Sequence, residues 1–141
     1  MYEPNKELPK GLKSWFVIHF VVDMLFAFPL LLFPELILPL FGWESFDPVM
    51  PRLVGAALLG IGGESLFSRN APGETFKALL RLKIIWASGA IFALILGIRN
   101  DGPPMTWGFL AIFVGFLGIW VYFRIKITDQ EIKKSPQDEG F

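Results

Sequence analysis

The sequence predicts an all-α protein, an antiparallel four-helix transmembrane bundle with a short outer interfacial segment. Of its 141 residues, 53% are hydrophobic and only 18% are charged, so a soluble domain of this length could not hide its apolar surface. The apolar residues fall in four stretches, each long enough to cross about 30 Å of hydrocarbon as a helix. Connectors that contain proline separate these stretches.

The first span covers residues 14–33 and follows a polar N-terminal tail, residues 1–13. The apolar run is longer than that of a signal peptide and ends in Phe-Pro-Glu rather than at a small-residue cleavage site, so we interpret it as a retained helix. His19 and Asp23 lie four residues apart within it and therefore share one helix face.

The connector that follows, residues 34–48, holds a short apolar run that proline interrupts. It is too short to cross the membrane, and we predict an interfacial segment anchored by Trp43. The second span, residues 49–68, is the least apolar and carries Glu64. It needs neighbouring helices, and its small residues Gly55, Ala56, Gly60 and Gly63 would let their backbones approach closely.

The third span covers residues 76–98 and the fourth covers residues 105–127, with a polar tail at 128–141 that we expect to be disordered. Small residues recur along the fourth span at spacings typical of a helix-packing seam. We expect this seam to meet a second copy of the chain or another membrane protein; it consists of Gly108, Ala111, Gly115 and Gly118.

The distribution of lysine and arginine predicts the orientation of the chain. Eleven of the 13 such residues fall in the N-terminal tail, around the connector between spans two and three, or near the C-terminus. By the positive-inside rule, both termini face the cytoplasm, with the chain in a cell inner or plasma membrane. Asp47 and Arg52 then lie at the outer interface, where Arg52 would contact a lipid headgroup or Asp47.

This topology predicts a cluster of ionisable side chains inside the membrane. His19, Glu64 and either Arg81 or Lys83 fall at similar depth, and Asp23 lies about one turn deeper. Such groups usually face the bundle interior, paired or hydrated.

Two residues of the third span decide which basic group joins the cluster. Arg81 and Ser88 are seven residues apart and share a face, so we predict that both point inward, while Lys83 points elsewhere and snorkels to the surface. The predicted ligand-binding set is His19, Asp23, Glu64, Arg81 and Ser88. The alternative is an ion-paired network that only locks the helices together.

Composition excludes several classes of function. The chain has no cysteine and one histidine, which excludes disulfides, thiolate metal ligation and sites built from several imidazoles. Its net charge is zero, which argues against a nucleic-acid partner. We expect no metal and no cofactor.

The stretch PRLVGAALLGIGGESLFSRNAP, residues 51–72, resembles the small uncharacterised four-helix membrane proteins of bacteria and archaea, including DoxX-like ones. Those proteins carry an Arg-x-x-Gly-Ala helix that ends in a basic turn and follows an FPE-type connector. The resemblance extends over residues 14–127 and implies a four-helix bundle without an established activity.

A second resemblance is to emopamil-binding-protein-like membrane proteins. It rests on His19 and Asp23, on Asp47-Pro48 in the outer connector, and on Glu64. That resemblance implies a cavity in which Asp23 and Glu64 face a lipophilic cationic ligand.

Three functions remain open from the sequence. The first is an integral membrane protein that binds or transports a small or lipophilic molecule. The second is a non-catalytic assembly subunit of a membrane complex. The third is an isomerase-like enzyme that uses the acids as proton donor and acceptor. The absence of a nucleophile triad or phosphate loop favours a non-enzymatic role.

Overall fold

The computed structural model describes residues 8–134, and every regular element in that range is helical. Its five α-helices are α1 (Leu12–Leu32), α2 (Pro34–Leu40), α3 (Val49–Phe67), α4 (Gly73–Arg99) and α5 (Met105–Lys134), with a 3₁₀ turn at Ser68–Asn70. Four of them, all except α2, are long and apolar enough to cross a membrane. The predicted all-α bundle of four spans is confirmed, and it fits an integral membrane protein.

The observed helix bounds differ from the predicted ones chiefly at the end of the last span. α5 continues past Ile127 to Lys134, so residues 128–134 are helical rather than disordered. Glu131, one turn beyond the buried Ile127, forms an ion pair with Lys77 of α4, which holds this extension against its neighbour. At the other end of the chain, α1 begins at Leu12, inside the predicted N-terminal tail of residues 1–13. Residues 1–7 and 135–141 of the predicted tails lie outside the described residues.

The four long helices pack as two pairs, α1 with α3 and α4 with α5. Gly55 sets the first pair's close approach, since a Cβ there would lie 2.8 Å from the Ala27 carbonyl oxygen and the Leu31 amide nitrogen. Gly62 makes the second close approach, against Asp23. The prediction that Gly60 and Gly63 join this packing is wrong, because a Cβ at either position would meet nothing within 4 Å.

The short helix α2 is tied to α3 by an exposed ion pair between Glu35 and Arg52, whose Oε1 and Nη2 atoms lie 2.7 Å apart. The backbone amide of Glu35 and the Arg52 guanidinium both lower the pKa of the Glu35 carboxyl. Asp47 instead accepts a hydrogen bond from the amide of Val49, the first residue of α3, 2.8 Å away. Of the two contacts predicted for Arg52, the one with Asp47 is wrong, because Arg52 pairs with Glu35 instead. Contact with a lipid headgroup stays a prediction.

A hydrophobic core joins the two pairs at one end of the bundle. It brings together the start of α1, the start of α4 and the end of α5, and its buried members are Leu12, Phe16, Phe76, Leu79, Leu80, Trp120, Phe123 and Ile127. The Phe16 ring lies 5.0 Å from the Phe76 ring and 5.6 Å from the Trp120 ring, measured between centroids. Next to this core, the space between the pairs opens into a cavity.

Candidate functional site

Four buried polar side chains from three helices meet beside the hydrophobic core. α1 supplies His19 and Asp23, α3 supplies Ser65, and α4 supplies Lys83. The exposed fraction is 2% for Lys83, 5% for Asp23 and 6% for His19. A carboxylate and an amine are therefore both buried inside the bundle. Because isolated buried charges are costly, the contacts that these groups make with one another matter for stability.

Lys83 reaches this position because it continues the buried stripe of α4. Phe76, Leu80 and Ala87, which lie seven and three residues before it and four after it, are all buried on the same face. Ser65 continues the corresponding stripe of α3, which runs through Gly55, Leu58 and Gly62. Lys83 and Ser65 therefore both point into the interior of the bundle.

The Lys83 ammonium has a partner on each of the other two helices. Its Nζ donates to Ser65 Oγ at 2.6 Å and lies 3.2 Å from His19 Nδ1. The Ser65 hydroxyl in turn donates a hydrogen bond to the Ile61 carbonyl oxygen, 2.8 Å away. The ammonium also stands over the rings of Phe16 and Trp120, at 5.1 and 5.2 Å from their centroids.

His19 stands between the two charged groups. Its Nδ1 lies 2.9 Å from Asp23 Oδ2 and also contacts the Lys83 ammonium. An ammonium only donates, so Nδ1 accepts from Lys83 and the imidazole proton is assigned to Nε2. Asp23 Oδ2 then receives no hydrogen bond from the imidazole, and it has no other partner among residues 8–134.

Beside this cluster, a cavity of about 590 Å³ separates the two helix pairs. His19, Asp23 and Lys83 form its polar end. Most of the remaining wall is aromatic or aliphatic and comes from all five helices and the α2–α3 connector, with Phe26, Leu58, Trp86, Ala90, Phe109, Phe113 and Phe116 among the lining residues. A volume of this size, with apolar walls and few polar groups, is typical of a small-molecule site.

Aromatic contacts close the cavity on the side where α1 faces α5. The His19 ring meets the Phe116 ring edge-on at 4.8 Å, and the Phe26 ring meets the Phe109 ring at 5.6 Å. The Phe109 ring also contacts the ring of Trp43 in the connector, with 6.0 Å between their centroids. Trp43, predicted to be an interfacial anchor, thus lines the cavity, as do Trp86 and Trp120.

The structure brings together only part of the residue set predicted for ligand binding. His19 and Asp23 are adjacent, but Glu64, Arg81 and Ser88 are exposed and do not line the cavity. Glu64 accepts a hydrogen bond from Ser68 of its own helix end. Lys83 takes the place assigned to Arg81, so the prediction that Lys83 points elsewhere is wrong.

The small residues of α5 lie away from the cavity. Gly108, Ala111, Gly115 and Gly118 are all exposed, and a Cβ built on Gly115 or Gly118 would meet nothing within 4 Å. They pack against no helix of the described chain, so contact with a partner stays a prediction.

Within residues 8–134, no group of three or more His, Asp or Glu side chains is placed to hold a metal ion. The cluster offers a carboxylate, an imidazole and an ammonium, which can form hydrogen bonds. Comparisons with protein families, curated proteins and solved structures found no match. The resemblances inferred from the sequence stay predictions.

Proposed function

We propose that this protein binds a small lipophilic molecule in the cavity between its two helix pairs, with the molecule's polar group at the His19–Asp23–Lys83 end. The observation that carries the proposal is the cavity itself, about 590 Å³ with apolar walls and one polar end. A bundle that served only as a structural subunit would gain stability by filling this space, since packed interiors leave few voids of that size.

The polar end supplies the selectivity that the apolar walls cannot. Lipid tails are as apolar as leucine, so a purely hydrocarbon molecule gains little by moving from the bilayer into the cavity. A polar group gains more, because the buried side chains of His19, Asp23 and Lys83 line that end of the cavity. The favoured occupant is therefore amphipathic, with a bulky apolar body.

Binding is proposed rather than transport because the hydrophobic core fills the space between the pairs on one side of the cavity. Phe16, Phe76 and Trp120 are fully buried there. The proposal includes the predicted orientation, with both termini in the cytoplasm, which the lysine and arginine distribution supports.

Energy transfer from tryptophan to pyrene tests the proposal, since Trp86 and Trp120 line the cavity. The protein in lipid nanodiscs is titrated with pyrenemethanol, its methyl ether, pyrenemethylamine and pyrenecarboxylate. We expect saturable transfer to at least one of the four, above the linear background from probe dissolved in lipid. Ala90→Phe and, independently, Ala93→Phe place a ring in the cavity and should each weaken the saturable component at least tenfold.

Ala56→Phe is the matched control, because Ala56 is exposed on α3 and does not line the cavity. It should leave the titration unchanged. Linear transfer for all four probes, or equal weakening by Ala56→Phe, would contradict the proposal.

A further inference from the structure

We infer that the ligand of this site is an uncharged lipophile with a hydroxyl group, which donates a hydrogen bond to the Asp23 carboxylate. The inference rests on the proposed function and specifies the chemical class of its ligand. It follows from a count of the donors and acceptors at the polar end of the cavity.

At the polar end of the cavity, the Asp23 carboxylate lacks a hydrogen-bond donor. The Asp23 side chain is only 7% exposed and lines the cavity, yet its Oδ2 has no hydrogen-bond partner among the described residues. A buried carboxylate has about four acceptor positions and is costly to leave unpaired. Asp23 is a lining residue of the cavity, so a donor on a ligand there can reach its carboxylate group.

The protein's own nearby donors do not serve the Asp23 carboxylate. The proton on His19 Nε2 points away from the Nδ1 edge that lies beside Asp23. Lys83 donates one hydrogen bond to Ser65 and another to His19 Nδ1. Its ammonium also lies over the rings of Phe16 and Trp120. A Cβ on Gly62 would lie 2.9 Å from Asp23 Oδ2, so the carboxylate occupies the space that glycine leaves on α3, where no side chain can donate to it. We therefore assign the missing donor to a molecule in the cavity.

Charge balance decides against an ionic ligand. Asp23 and Lys83 carry opposite charges at the same imidazole, and His19 accepts from Lys83 in its neutral form. An ammonium ligand would leave the buried cluster with an unpaired positive charge, and a carboxylate ligand would bring another acceptor to Asp23. This favours a neutral alcohol over the cationic ligand implied by the emopamil-binding resemblance.

The four pyrene probes separate the possibilities because they share one apolar body. On the unaltered protein, we expect pyrenemethanol to bind about five- to tenfold more tightly than its methyl ether, the ratio for one hydrogen bond of ordinary strength. The amine and the carboxylate should bind more weakly than the alcohol. In Asp23→Leu, which removes the acceptor, alcohol and ether should bind equally.

The outcomes distinguish this inference from the proposed function. If the ether binds as tightly as the alcohol to the unaltered protein, water or another group satisfies Asp23 and the inference fails, while a saturable site remains. Tightest binding of the amine or the carboxylate overturns the choice of an uncharged ligand. If no probe binds saturably, the proposed function itself fails. The comparison on the unaltered protein decides the matter even where Asp23→Leu does not fold.

Discussion

Lys83 is the residue on which the polar end of the cavity depends. It is fully enclosed by side chains of three helices, with Ser65 and His19 as hydrogen-bonding partners and two aromatic rings under its ammonium. Asp23 provides the compensating charge beyond the imidazole. Removal of the ammonium therefore leaves a carboxylate buried without a counter-charge.

We expect Lys83→Met to destabilise the protein by about 3 kcal/mol or more, the usual cost of breaking a buried ion pair from one side. Unfolding by SDS in mixed micelles measures this change. Asp23→Leu combined with Lys83→Met should recover much of the loss, because an apolar pair replaces both charges.

Arg81→Met is the matched control two residues away on the same helix. Arg81 is exposed, so its replacement should change stability by no more than about 0.5 kcal/mol. Equal effects of Lys83→Met and Arg81→Met would show that Lys83 is not held as described.

His19 and Asp23 could be predicted from the sequence because ionisable residues inside an apolar span have few places to point. Lys83 was missed because both basic residues of α4 fall at similar depth, and only the phase of the helix separates them. They differ by about 200° around the axis. The apolar neighbours Phe76, Leu80 and Ala87 share the face of Lys83, and this spacing is the signal that could have identified it.

At the scale of the helices, glycine positions decide how closely α1 and α3 pack. Gly55 and Gly62 lie seven residues apart and face α1, while Gly60 and Gly63 face away from it. The sequence predicts a small-residue helix but not which glycines make contact, because its small residues lie on more than one face. The spans were predictable from hydropathy, whereas the continuation of α5 depends on a contact with α4 at Lys77.

Two alanine substitutions on the same helix test this packing. Gly55→Ala places a methyl group against α1 backbone and should destabilise the protein by about 1–3 kcal/mol. Gly60→Ala meets open space and should stabilise it by about 0.5–1 kcal/mol through helix propensity. SDS unfolding of both variants checks the pair, and a Gly55→Ala protein as stable as Gly60→Ala would contradict the described interface.

At the scale of the whole molecule, the cavity results from the arrangement of two helix pairs joined at one end. α1 packs on α3 and α4 packs on α5, while the bulky side chains of the hydrophobic core hold the pairs together. No sequence pattern predicts the space between them, because its volume depends on the separation of the pairs. The sequence could place acidic and basic groups near one depth, but not the apolar volume beside them.

The most direct test of the central claim, that a lipophilic molecule binds between the helix pairs, is to map where a photoreactive ligand attaches. The probe is a benzyl alcohol that carries a trifluoromethyl diazirine, applied to the protein in nanodiscs and mapped by mass spectrometry. Two sets of residues on α4 provide the comparison: Trp86 and Ala90 line the cavity, whereas Phe92 and Ile95 are exposed and do not.

We expect adducts at Trp86, at Ala90 and at Phe113 of α5, and we expect excess pyrenemethanol to suppress them. Adducts at Phe92 and Ile95 should persist, because they come from probe in the surrounding lipid. Labelling confined to the lipid-facing set, or equal insensitivity of both sets to the competitor, would contradict the account.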